Sequence, residues 1–392
     1  MWSSPLPLPS PPMHFSPLPL PSPSMPHSPL PSPSMPLSPE SGGGYKIMDA
    51  TNTMTPRSAR LTTAEVSSIL SQLASASSRS EHARCRKSAA RIRALAEESD
   101  RNRRRLAASG AAGVLAASFH EIAATGDGSL DVLSEILSAL VLVFPVDDVD
   151  VFSDIGSPKS LDAIASILQS GCSSARLNAT LVLKQIVSSN KDLARAAASI
   201  DGLIEALLSR IGDPISPRGK RASLLAAFHL VGSSQESTTA RFIRTGVVSM
   251  VLESLMDSES EKRVSEAALA ALDRLCSFEL GRENAYGNAL TVPVLVKNMF
   301  GVSDLATELS VSSLWKLCKN SVPEKEAAAG EVGCVVEALQ VGAFMKLLML
   351  LQVECRESVK ERATELLRFF NNYGKGLGCI DSKDFRGLHR PV

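Results

Sequence analysis

Six histidines and seven cysteines are the side chains of this 392-residue chain with the most obvious capacity for chemistry. A general base must lie within hydrogen-bond reach of the group it deprotonates. A structural zinc site needs four nitrogen or sulfur ligands in close, paired spacing. His82, His120 and His229 stand far apart, each alone, and read as surface or partly packed side chains. The cysteines form no C-x-x-C pair. Cys276 and Cys318 occupy the matching phrases "LCSF" and "LCKN", a packing pattern, and the set reads as reduced thiols. The S-x-x-K matches "SSNK" (188–191) and "SLWK" (313–316) lack the companion motifs of the hydrolases that use them. "GKGLG" (374–378) closes a helical stretch instead of following a strand, so it lacks the context of a dinucleotide-binding turn. H-E-x-x-H, G-x-S-x-G and P-loop patterns do not occur. These spacings predict no catalytic residue, no metal site and no cofactor.

Charge narrows the partners. The formal net charge is zero, which argues against general nucleic-acid affinity. Locally the balance is uneven: residues 79–105 hold ten Lys/Arg against four Asp/Glu, and residues 127–154 hold seven acids and no base. Such runs read as solvated faces of neighbouring segments that attract one another. The competing reading of "RNRRR" is a nuclear-import or RNA patch, but no aromatic is interleaved for base stacking. No apolar run reaches the length of a membrane span, and prolines interrupt every stretch that could serve as a signal peptide core. The composition predicts a cytoplasmic protein, with "RNRRR" the phrase that fits a nuclear one.

The elements that must position these side chains follow from a recurrence. A small or turn residue followed by an apolar helix, as in "ASGAAGVLAAS" at Gly110, returns at Gly156, Asp201, Gly246, Thr291 and Gly342, in steps of 46, 45, 45, 45 and 51 residues. A helix-only period near 45 is the range of two- or three-helix HEAT or armadillo units. Between the anchors run longer helices such as "RLNATLVLKQIVSS" and "KRASLLAAFHLV", so each repeat reads as a shorter helix after the anchor and a longer one before the next. In "TTAEVSSILSQL" a Thr cap precedes apolar residues at Val66, Ile69, Leu70 and Leu73, a helical stripe. Apolar residues are 44% of the chain and aromatics only 4%, as close-packed helices of Ala, Leu, Val and Ile require. The expectation is an all-α, right-handed superhelical armadillo solenoid of about six or seven repeats over residues 61–372. Residues 1–60 read as a disordered Pro/Ser-rich segment and linker, since residues 1–40 hold 15 of the 23 prolines and "SPLP" recurs at Ser4, Ser16 and Ser28. Residues 373–392 read as a flexible Gly-rich tail.

The quoted phrases also carry a family likeness. "NRRRLAASGAAGVL", "RTGVVSMVLESL", "ALTVPVLVKNM" and "ERATELLRFF" resemble armadillo repeats, and their order is similar to the armadillo region of the plant U-box/armadillo ubiquitin ligases. "MTPRSARLTTAEVSSIL" is similar to the Thr-Pro linker and first helix that follow the U-box in that family. The resemblance spans residues 54–372. In the family a U-box recruits the ubiquitin-conjugating enzyme, whereas here residues 1–50 are a Pro/Ser/Leu repeat with no "CPI"-like or "DPV"-like phrase. The resemblance therefore implies the substrate- or partner-binding half of such a ligase, with a U-box ligase or its substrate as partner and no ubiquitin transfer by this chain alone. The alternative is an armadillo scaffold without a ubiquitin role.

A solenoid of this kind binds proteins on the concave face lined by its longer helices. Importin-like grooves carry a ladder of Asn and Trp there. Aligning the long helices puts Ala94, Gln185, His229, Arg274, Lys316 and Arg368 at the Asn position, so the ladder is missing and Trp315 stands alone. Gln185, His229, Arg274, Trp315, Lys316 and Arg368 are the candidate partner-binding residues. The last three rungs, Arg274, Lys316 and Arg368, would form a basic stripe for an acidic or phosphorylated segment. The competing reading pairs each of them with a neighbouring acid such as Asp273 or Glu365.

Overall fold

The computed structural model describes residues 61–377, apart from 127–128, 145–148, 213–215, 234–235, 257–260 and 321–332. The expectations for residues 1–60, and for most of the tail, lie outside the described residues. Every regular element among the described residues is helical. Twenty helices group into a two-helix unit and six three-helix units. The first unit is α1 (Thr63–Ser78) and α2 (His82–Glu98). The second is α3 (Asp100–Ala108), α4 (Ala111–Thr125) and α5 (Leu130–Val143), and the third α6 (Val149–Ile155), α7 (Pro158–Ser170) and α8 (Ser173–Ser189). The fourth is α9 (Lys191–Ala198), α10 (Leu203–Leu208) and α11 (Pro217–Ser233), and the fifth α12 (Glu236–Arg244), α13 (Val247–Met256) and α14 (Lys262–Leu275). The sixth is α15 (Glu279–Tyr286), α16 (Thr291–Asn298) and α17 (Asp304–Asn320). The seventh is α18 (Gly333–Gln340), α19 (Ala343–Gln352) and α20 (Glu357–Leu377).

The repeat anchors mark the turn between the first and second helix of each three-helix unit. The anchors Gly110, Gly246 and Gly342, and Gly202 next to the anchor Asp201, sit there at φ between 74° and 84°, a left-handed conformation that glycine adopts without steric cost. The other two anchors solve the turn differently. A Cβ on Gly156 would lie 2.6 Å from the Phe152 carbonyl oxygen and 2.8 Å from Leu193, so close approach demands the glycine. Thr291 closes its turn by donating its hydroxyl to the Ala285 carbonyl at 2.7 Å. Each anchor thus has a helix on both sides, where the period suggested one shorter and one longer helix per repeat. The added first helices are short, and of α3, "DRNRRRLAA", only Asn102 and Leu106 are buried.

The entry helix is capped as its sequence requires. Thr62 accepts from the Glu65 amide through its hydroxyl at 3.2 Å, and the Glu65 carboxylate accepts from the Thr62 amide at 2.7 Å. This reciprocal pair satisfies two amides that an open helix start would leave unbonded. Val66, Ile69, Leu70 and Leu73, the predicted stripe, are all buried. The long third helices stack in order, α2 on α5, then α8, α11, α14, α17 and α20. One continuous core of Leu, Ile, Val and Ala runs beneath them, with Phe119, Phe242 and Phe370 among its largest fully buried side chains. Packing runs within units and between adjacent units, the signature of a solenoid.

Candidate partner-binding groove

The stacked third helices present one side-chain row per turn along a shared face. In each, the residue at the aligned Asn position follows a buried aliphatic by two places, so the row faces away from the core: Leu183 precedes Gln185, Leu272 precedes Arg274, and Leu314 precedes Lys316. Gln185, His229, Arg274 and Lys316 are half-buried there, and Ala94 and Arg368 are exposed.

Most charges on this face are bound to a neighbouring repeat. Arg93 of α2 meets Glu135 of α5 at 2.6 Å. Asn178 of α8 donates to Ser138 of α5 at 2.9 Å. Lys316 of α17 reaches back to α14, with its Nζ 2.8 Å from the Asp273 carboxylate, 2.7 Å from the Asp273 carbonyl and 3.0 Å from the Ser277 hydroxyl. Arg274 folds against α11, its guanidinium 4.9 Å from the centre of the Phe228 ring. It also lies so close to Gly232 that a Cβ there would be 2.9 Å from Nε. Trp315 donates its indole N–H to Glu365 of α20, under Lys319 at 4.4 Å and Arg362 at 5.6 Å from the ring centre. Arg368 makes no ion pair among the described residues, and Glu365 belongs to Trp315 instead. The three basic rungs therefore differ: one is held by an acid, one is laid on an aromatic ring, and one is exposed.

The centre of the face is organised otherwise. Between α5, α8 and α11 lies a pocket of about 450 Å³, floored by Val141, Phe144, Leu181 and Leu225 and bordered by Lys184, Gln185, Arg218 and Arg221. Among the described residues no carboxylate lines it. Lys184 donates to the Gln185 side chain at 2.7 Å. Burial, and after it the charge of Arg221, push the Lys184 ammonium below its ordinary pKa. His229, edge-on to Phe228 at 5.1 Å, is lowered by burial and then by Lys184 and Arg274. The alignment reached Gln185 and His229 but missed Arg221 and Arg218, about two and three turns before His229 on the same helix. A sequence signal existed. The helices α8 and α11 carry Arg176, Lys184, Arg218, Lys220 and Arg221 and no acid at all.

Elsewhere, His120 is bonded to the Ser157 hydroxyl at 2.7 Å and packs in a helix interface. Cys276 is fully enclosed, and burial pushes its thiol up to about 12. The Cys318 and Cys334 sulfurs, apart in sequence, approach to 3.8 Å in the interior. Among the described residues no three His, Cys, Asp or Glu side chains gather as a metal site would require. No single described helix is long and apolar enough to cross a membrane.

A stack of three-helix units whose third helices share one face defines an armadillo-repeat protein. A designed armadillo repeat protein, solved in complex with the peptide (KR)4, superposes with a TM-score of 0.51 at 16% identity, covering 64% of this chain and 99% of its own. More narrowly, the chain belongs to the family described as the plant U-box protein ARM repeat region, which it matches over residues 65–390. It is similar to U-box domain-containing protein 21 of Arabidopsis thaliana, 36% identical over 83% of this chain and 72% of the relative. U-box domain-containing protein 20 of the same plant is 32% identical over 86% and 74%. E3 ubiquitin-protein ligase PUB23, also from Arabidopsis thaliana, is 26% identical over 78% and 71%.

Proposed function

We propose that this chain is a partner-binding module of the U-box family, holding a segment of another protein along its third-helix face and bringing that protein to ubiquitination. The observation that carries this reading is the unbroken stack of α2 and the six third helices, with half-buried polar and cationic side chains along one face. A surface of this kind offers shape, partial desolvation and directional contacts together, the features of a protein-binding site. A ligase among the relatives and a peptide-bound armadillo neighbour support it. The test places a photo-crosslinking residue at Leu225, on the third-helix face, or at Glu253, exposed on α13. Discrete adducts are expected from Leu225 and not from Glu253, and the adducted proteins should lose ubiquitination in cells that lack this chain. Adducts spread evenly over both positions would remove the groove reading. Adducts confined to Leu225 on proteins whose ubiquitination is unchanged would leave an armadillo scaffold without a ubiquitin role.

A further inference from the structure

The pocket between α5, α8 and α11 differs from the rest of the face in one respect. Along most of the remainder, the exposed rung Arg368 apart, charge is answered within the protein: Arg93 by Glu135, Lys316 by Asp273, and Arg274 by the Phe228 ring. At the pocket it is not. Arg218 and Arg221 are exposed and have no ion pair among the described residues, and Lys184 has only the neutral Gln185. Three cations crowd one rim while the two helices that supply them carry no acid. Like charges gathered at a low-dielectric surface repel, and an anion placed between them relieves that repulsion while gaining charge-assisted hydrogen bonds. The floor beneath, formed by Val141, Phe144, Leu181 and Leu225, is apolar. At about 450 Å³ the pocket falls within the 300–1,000 Å³ range of ligand sites.

We propose that this pocket receives a carboxylate-rich segment of a partner protein, with one bulky apolar side chain seated on the floor and acidic residues on both sides reaching Lys184, Arg218 and Arg221. The assignment rests on the groove reading above and gives it a location and a chemistry. It moves the anion-binding centre from the rungs Arg274, Lys316 and Arg368 to the units before them. The requirement is double. An acidic chain without the apolar residue leaves the floor wet, and an apolar chain without acids leaves the rim charges facing one another.

The experiment uses the full chain and a fluorescein-labelled peptide of sequence Glu-Asp-Asp-Phe-Glu-Asp-Glu, read by anisotropy. Saturable binding is expected at low salt, weakening at least fivefold when salt is raised to screen exposed charges. Replacing the peptide's Phe by Ala should weaken binding about tenfold. The double variant Arg218→Glu/Arg221→Glu should lose at least tenfold, while Arg368→Glu stays within twofold of wild type. A charge-reversed peptide, Lys-Arg-Lys-Phe-Arg-Lys-Arg, should bind the double variant better than it binds wild type, an outcome a misfolded variant could not give. Equal affinity of the acidic peptide for wild type and the double variant would overturn the proposal, as would equal binding of the two peptides by wild type. If no acidic peptide binds while crosslinking from Leu225 still captures partners, the groove stands and this chemistry falls.

Discussion

Lys316 and Asp273 face one another across α14 and α17 with side chains only 18% and 19% exposed. Neither charge is available to a partner, and the pair acts as a strut between the fifth and sixth units. Removing one member of a covered pair strands the other, which costs more than the pair contributes. Asp273→Ala should therefore destabilise the chain by about 2 kcal/mol, the buried-pair cost reduced for partial exposure. Combined with Lys316→Met it should recover part of that loss in urea unfolding; additive effects would show that the pair is not coupled. His229 gives a pH dependence. Its folded pKa lies below the unfolded value of about 6.5, so the unfolded state takes up the proton first as pH falls. Stability associated with His229 is thus complete above that value and declines as pH drops through the window beneath it. Relative to His229→Gln, wild type should lose stability between neutral and mildly acidic pH, and parallel pH profiles would refute this. The thiols divide by environment. Cys172 is exposed and its pKa is lowered, first by the Ser174 hydroxyl and then by the Ala175 amide, whereas Cys85, Cys276 and Cys318 are buried with raised values. A thiol reagent should modify Cys172 ahead of those three in the native protein, as peptide mapping would show.

At the scale of elements, what the sequence made legible was what recurs locally. The period near 45 located the units, and three of its six anchors are glycines at positive φ, with Gly202 beside a fourth, Asp201, because a left-handed turn favours glycine. The short first helices were not legible, since α3 buries two residues and offers no apolar stripe. On the groove, register alone found the right face but not the fate of each charge. The partners lie in the next repeat: Arg93 to Glu135, Lys316 to Asp273 and Trp315 to Glu365 are separated by 42, 43 and 50 residues. That spacing is about one period, so a search for complementary groups one repeat away would have found them. The same scale carries a stability prediction. Gly281 is buried in α15, where a Cβ would overlap the Leu275 carbonyl, with its carbon at 2.7 Å. The obstacle is backbone at a helix junction, which cannot rotate aside. Gly281→Ala should destabilise by about 3 kcal/mol, the upper part of the overpacking range; a loss below about 0.5 kcal/mol, the surface-substitution range, would mean that the junction yields.

For the whole molecule, that substitution asks how far a local injury travels. In a compact domain one core defect lowers the stability of every element together. Among the described residues the main packing joins helices of the same or adjacent units, so stability is close to a sum of unit and interface terms. Gly281 lies in the sixth unit, against Leu275 at the end of α14, and its helix packs on α12 and α13 of the fifth unit and α17 of its own. The substitution should raise amide hydrogen exchange in α14 to α17 and, through α17, in α20, while α2, α4 and α5 keep wild-type protection. The central pocket draws on α5, α8 and α11, in the second to fourth units. Its geometry should survive, and Gly281→Ala should bind the acidic peptide as wild type does despite a lower unfolding midpoint. Uniform loss of protection along the chain, with peptide affinity falling in step, would mean that the repeats unfold as one body and that the pocket depends on the far end of the stack.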